Sequence, residues 1–160
     1  MPKSLVAWLV FAAICFAAAA IGSLFTASSV KTWYPALVKP VGNPPAWVFG
    51  PVWSTLYLLM ATAAWLVWRQ RESDGAWMAL VFFFVQLALN AAWSFIFFGL
   101  RRPGTAVAEI LILLAAIVAT AMRFRPISRL AFWLMVPYIA WVSYATFLNF
   151  GIWRLNRGTI

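Results

Sequence analysis

Leu5-Val6-Ala7-Trp8-Leu9-Val10-Phe11-Ala12-Ala13-Ile14-Cys15-Phe16-Ala17-Ala18-Ala19-Ala20-Ile21-Gly22-Ser23-Leu24-Phe25 is a run without a single charge. About 20 apolar residues in a helix cross a bilayer core of roughly 30 Å, so this stretch is long enough to span. Ala18-Ala19-Ala20 looks like a leader-cleavage site, but the hydrophobic part of a signal peptide is only about 7–15 residues long. The run is therefore expected to stay in the protein as helix 1, ending near Phe25 before the polar Thr26, Ala27, Ser28 and Ser29.

The rest of the chain has the same character. Of 160 residues, 66% are hydrophobic and 9% charged, and the mean hydropathy is +0.92. Too little polar surface remains to cover a water-soluble domain. The apolar runs are continuous rather than short and alternating, which excludes an outer-membrane barrel and predicts an all-α integral membrane protein. Further spans are expected at about 46–68, 76–100, 105–122 and 130–153, making a single domain, a bundle of five transmembrane helices with its termini on opposite sides. Pro51 falls in the first turns of helix 2, Arg101-Arg102-Pro103-Gly104 separates helices 3 and 4, and Ser128 is placed to cap helix 5. Between helices 1 and 2, residues 30–45 carry Pro35, Pro40, Pro44 and Pro45, a stiff and unusually long connection.

Twelve Lys and Arg against three acids give a net charge of +9. The cations come in ones and twos between apolar runs, so phospholipid headgroups rather than nucleic acid account for them. Lys3, Arg69, Arg71, Arg123, Arg125 and Arg129 fall on one side, and Lys31, Lys39, Arg101, Arg102, Arg154 and Arg157 on the other. Six against six leaves the orientation undecided. Glu109 is the sole acid within a span, and it is expected to pair with Arg101 or Arg102. No histidine is present and Cys15 is the one cysteine, which excludes disulfide scaffolds, CxxC redox pairs and zinc sites. No lysine lies inside a span, which excludes a retinal Schiff base.

Among the 11 tryptophans, Trp8, Trp33, Trp47, Trp68, Trp77, Trp133 and Trp153 fall near span ends, as an interfacial aromatic belt requires. Trp53, Trp65, Trp93 and Trp141 are expected deeper. Three helices carry stripes at three- and four-residue spacing: Trp53, Tyr57, Met60, Ala64 and Trp68 on helix 2; Gln86, Asn90, Trp93 and Phe97 on helix 3; Tyr138, Trp141, Ala145 and Leu148 on helix 5. Two readings stand side by side. The amides bond neighbouring helices while the aromatics fill gaps, or the rings line a deep pocket for a large, flat, apolar ligand. Small residues four apart, such as Ala18 with Gly22 and Ala88 with Ala92, allow close helix approach within the bundle or across a dimer.

Trp33-Tyr34-Pro35-Ala36-Leu37-Val38-Lys39-Pro40, Asn43-Pro44-Pro45, Trp53-Ser54-Thr55-Leu56-Tyr57, Gln86 through Trp93, Phe97-Phe98-Gly99 and Val136 through Phe150 together resemble the TspO/MBR family, the tryptophan-rich sensory proteins that include the peripheral benzodiazepine receptor. The resemblance runs in order along nearly the whole chain. It implies a five-helix bundle, commonly a homodimer, that binds porphyrins such as protoporphyrin IX and haem, and in some members cholesterol or benzodiazepine-type drugs. It places Gly22, Trp53, Tyr57, Asn90, Trp141, Ala145 and Leu148 around the ligand. In relatives with light-dependent porphyrin breakdown, tryptophans matching Trp53 and Trp141 support the reaction, and these two are the catalytic candidates if this chain does the same. A bacterial cell envelope is the expected location, with no cofactor required beyond the ligand.

Three positions depart from the family pattern. Gly42 stands where most members have tryptophan before x-Pro-Pro. Phe150 precedes Arg154 where the sterol-associated motif has tyrosine, and Tyr144 replaces an alanine of several bacterial members. Without histidine, bound haem would lack its commonest axial ligand. Stacking, burial and contact of propionates with cations such as Lys39 are then expected to hold the ring, and a metal-free porphyrin fits at least as well as haem. Lipid or solute transport gains no support from an inverted repeat, since none is apparent.

Overall fold

The computed structural model describes residues 3–158, with the side chain of Lys3, counted above among the flanking cations, outside that description. Five helices long and apolar enough to cross a membrane make up the chain: α1 (Lys3–Lys31), α2 (Ala46–Arg69), α3 (Ala76–Ser94), α4 (Pro103–Phe124) and α5 (Arg129–Leu155). Among the described residues there is no β-strand. The expected five-span, all-α architecture is therefore present, with α4 packed against both α3 and α5, and α2 joining α1 to α5.

Two helices end differently from expectation, for local reasons. Helix α1 continues through Thr26, Ser28 and Ser29 to Lys31. The hydroxyl of Thr26 donates to the Gly22 carbonyl and that of Thr32 to Ser28, both four residues back, so these polar side chains are satisfied by the helix itself. Ser29 donates instead to the Phe98 carbonyl at 2.7 Å and ties α1 to the end of the third span. That span finishes as a wider π-helical turn, Phe95–Gly99. The chain then reverses through Arg101, whose φ of 53° is left-handed. Ser128 caps α5 as expected, accepting from the Ala131 N–H at 3.2 Å.

Packing divides the bundle into two halves. Toward the C-terminal end of α2, Ala61, Ala63, Ala64 and Val67 are sealed against Ala79, Phe83, Ala121, Phe124 and Ala131. Phe83 stacks on Phe124 with ring centroids 6.2 Å apart. Small residues let these helices approach closely, which is the main source of attraction where lipid removes the hydrophobic drive. Toward the other end a gap opens among α1, α2, α3 and α5.

The tryptophans sort less cleanly than their sequence positions suggest. Trp47, Trp77 and Trp133 are exposed at helix ends, as an interfacial belt requires. Trp65, expected deep, donates to the Ser4 carbonyl at the start of α1 and lies under Arg69, so it belongs to the end of the bundle. Trp33, expected as an anchor, packs edge-on against buried Phe97. Glu109 is buried, and neither carboxylate oxygen has a hydrogen-bond partner. Among the described residues the one ion pair joins Arg71 and Glu72. The expected pairing of Glu109 with Arg101 or Arg102 is absent, because both arginines follow the π turn on the exposed reversal.

A candidate ligand cavity under the first loop

The cavity has a volume of about 360 Å³. One α2 face supplies Phe49, Trp53 and Tyr57; α3 and its π turn supply Asn90, Trp93 and Phe97; α5 supplies Ala145, Leu148 and Asn149; α1 contributes Phe16 and Gly22. Regular spacing explains this convergence, since residues three and four apart share a helix face. Six residues expected at the site, Gly22, Trp53, Tyr57, Asn90, Ala145 and Leu148, are on its wall. Trp141 is not. Its ring meets Phe49, itself a wall residue, edge-on at 6.0 Å and lies beside Tyr144 at 5.9 Å.

The polar groups at this depth are largely committed to one another. The Tyr57 hydroxyl donates to Asn90 Oδ1 at 2.7 Å, and Asn90 Nδ2 donates to the Tyr138 hydroxyl at 2.8 Å. This chain links α2, α3 and α5. Trp53 tilts over Tyr57 at 5.6 Å and meets Tyr138 edge-on at 6.2 Å. A second link uses Asn149, which accepts from Trp93 Nε1 at 3.0 Å and donates to the Pro103 carbonyl at 2.9 Å. Asn149 was missing from the expected site, although an asparagine inside a span is itself the signal that a partner must exist. Gln86, for which bonding a neighbouring helix is one of the two readings, is fully buried with neither end of its amide bonded and is not on the cavity wall.

The 30–45 connection lies over the cavity and is fastened to α5. Asn156 Oδ1 accepts from the Val38 N–H and its Nδ2 donates to the Val38 carbonyl, at 3.0 and 2.9 Å. The Tyr144 hydroxyl donates to the Gly42 carbonyl, so two of the three departures from the family pattern are neighbours in space. Gly42 has a φ of 91°, a conformation that favours glycine. At Gly151 an added Cβ would stand 2.9 Å from the Pro40 ring, so the loop needs a glycine there. Tyr34, on the cavity wall, donates to Asn43 Oδ1. Burial raises its phenol pKa above the ordinary value while the Asn43 bond opposes the shift, which keeps Tyr34 a donor. Phe150 is exposed and packs edge-on to Trp153, off the cavity wall.

The wall is uncharged and largely aromatic or aliphatic. The wall carries no charged side chain and no His, Cys or Met, and no group of three metal-ligating residues occurs among the described residues. The wall phenols Tyr34 and Tyr57 already donate to asparagines. Lys39, expected to reach a ligand carboxylate, instead donates to the Pro35 and Leu37 carbonyls within the loop and sits over the Tyr34 ring.

Sequence comparison agrees with the architecture. A sequence model of the TspO/MBR family matches residues 11–154. The chain is 39% identical over 160 residues to the tryptophan-rich protein TspO of Chlorobaculum tepidum, covering 98% of this chain and 99% of that one. It is 41% identical over 140 residues to the human translocator protein, covering 86% and 83%, and 39% identical over 156 residues to protein CrtK of Rhodobacter capsulatus, covering 97% and 96%. With five spans, an aromatic cavity beneath a proline-rich loop and a match along most of its length, the chain belongs to the TspO/MBR family.

Proposed function

We propose that this membrane protein binds a porphyrin, with protoporphyrin IX as the test ligand, in the cavity beneath the first loop, for sensing, sequestration or transport. The observation that supports this most is the wall itself: Trp53, Trp93, Phe49 and Phe97 offer ring faces or edges around an uncharged space. Aromatic surfaces attract a flat conjugated ring through dispersion and offset stacking. Two wall pairs, Tyr57 with Asn90 and Trp93 with Asn149, are already bonded to each other, so the conjugated ring strands none of these four groups, while its two propionates need contacts outside this uncharged wall. The absence of histidine and the committed phenols favour metal-free porphyrin over haem.

Titration in detergent tests the reading. Protoporphyrin IX is expected to bind saturably, with a shifted Soret band and quenched tryptophan emission, and Asn90→Ala is expected to weaken the binding. Non-saturable quenching, or binding unchanged in both Asn90→Ala and Trp53→Ala, would sink it.

A further inference from the structure

The cavity wall is unequal in one respect. Each of its exposed residues belongs to the facing pair α1 and α2: Phe16 and Ser23 on α1, and Ala46, Gly50 and Ser54 on α2. The wall residues of α3, its π turn and α5 are all buried or half-buried. An opening between two spans is expected to face acyl chains along most of its length. Its composition suits that setting. No charge lines it, and the α1 hydroxyls near it are spent on their own helix, Ser23 on the Ala19 carbonyl and Thr26 on Gly22, which leaves neither as a bare donor. Space is free beside Gly50, where an added Cβ would meet nothing within 4 Å. The loop, by contrast, is fastened to the α5 end by the Asn156–Val38 pair and by Tyr144.

From this asymmetry we infer that the α1–α2 slit is the ligand's entry and exit, so that an apolar ligand dissolves first in the bilayer and passes sideways between the two helices. The inference rests on the porphyrin reading for the identity of the ligand, but the route can be tested without it. An apolar diazirine confined to the bilayer of proteoliposomes serves as the first probe, with labelled residues mapped after photolysis. Labelling is expected at Leu148 and Ala145 within the cavity as well as at lipid-facing Leu24. Gly50→Trp, or independently Ser54→Phe, should remove the cavity labels and keep the Leu24 label, with a parental unfolding transition in detergent showing that each variant is folded. Cavity labelling unchanged by both variants would overturn the route.

The second probe is protoporphyrin IX preloaded in the vesicles and followed by stopped-flow. Gly50→Trp should slow association and dissociation together by about tenfold, whereas Asn156→Ala, which loosens the loop, should leave both within about twofold. The reverse pattern would place entry under the loop and overturn the inference. Slit-dependent photolabelling with no protoporphyrin binding would support the route and reject the porphyrin reading.

Discussion

Helix α2 passes through two environments that differ in what fills the space beside it. In its first half Trp53 and Tyr57 stand over a cavity and are held by rings and amides from α3 and α5. In its second half Ala61, Ala63, Ala64 and Val67 are sealed against neighbouring helices. The two halves show how one helix serves two ends. Alanines let backbones close and build stability by packing. Large aromatics fixed by hydrogen bonds keep the helices apart and leave a shaped space.

That division is open to direct challenge. The largest expected effect is in the sealed half. Phe83→Ala, which empties a fully buried ring position against Phe124, should cost about 3 kcal/mol of stability, measured by reversible unfolding in detergent. Trp53→Ala should cost clearly less, and equal losses would erase the distinction. Next comes the seam between loop and bundle. Gly151→Ala places a methyl 2.9 Å from Pro40 and should destabilise by about 2 kcal/mol as the loop shifts, with faster hydrogen exchange confined to residues 37–43. Within the cavity half, Asn90→Ala leaves the Tyr57 and Tyr138 hydroxyls without their shared partner, at a cost of about 1 kcal/mol. A gain of similar size and opposite sign is expected for Gln86→Leu, because both ends of that buried amide lack partners and an apolar isostere removes the desolvation cost, giving about 1 kcal/mol of added stability.

Much of this architecture is legible in the sequence because charge-free runs and Arg-Pro or Ser-Arg boundaries are local signals. The spans follow from them, and so do the stripes that bring Trp53, Tyr57 and Asn90 to one cavity. What escapes sequence reading depends on distant partners. The end of α1 is hidden because Thr26 and Ser29 look like a polar boundary, whereas their hydroxyls find carbonyls on the same helix and on the π turn. Glu109 looks paired by its spacing from Arg101 and Arg102, but the π turn and the left-handed Arg101 redirect the chain. The loop clamp joins Val38 to Asn156 across 118 positions, and no periodicity reports such a contact. Trp141 shares a helix stripe with Ala145 and Leu148, yet its ring packs edge-on against Phe49, which lines the cavity while Trp141 does not.

The contrast between Trp53 and Trp141 also gives the most direct test of the central claim, that the ligand occupies the cavity bounded by Trp53 and Phe49. Protoporphyrin IX affinity, read from the Soret band so that loss of a tryptophan does not confuse the signal, is to be measured for Trp53→Ala and Trp141→Ala side by side. Loss of a stacking ring is worth on the order of 1.4 kcal/mol, so Trp53→Ala should weaken binding about tenfold, and Trp141→Ala should stay within about twofold of the parent. Equal weakening by both, or a larger loss at Trp141, would contradict the account.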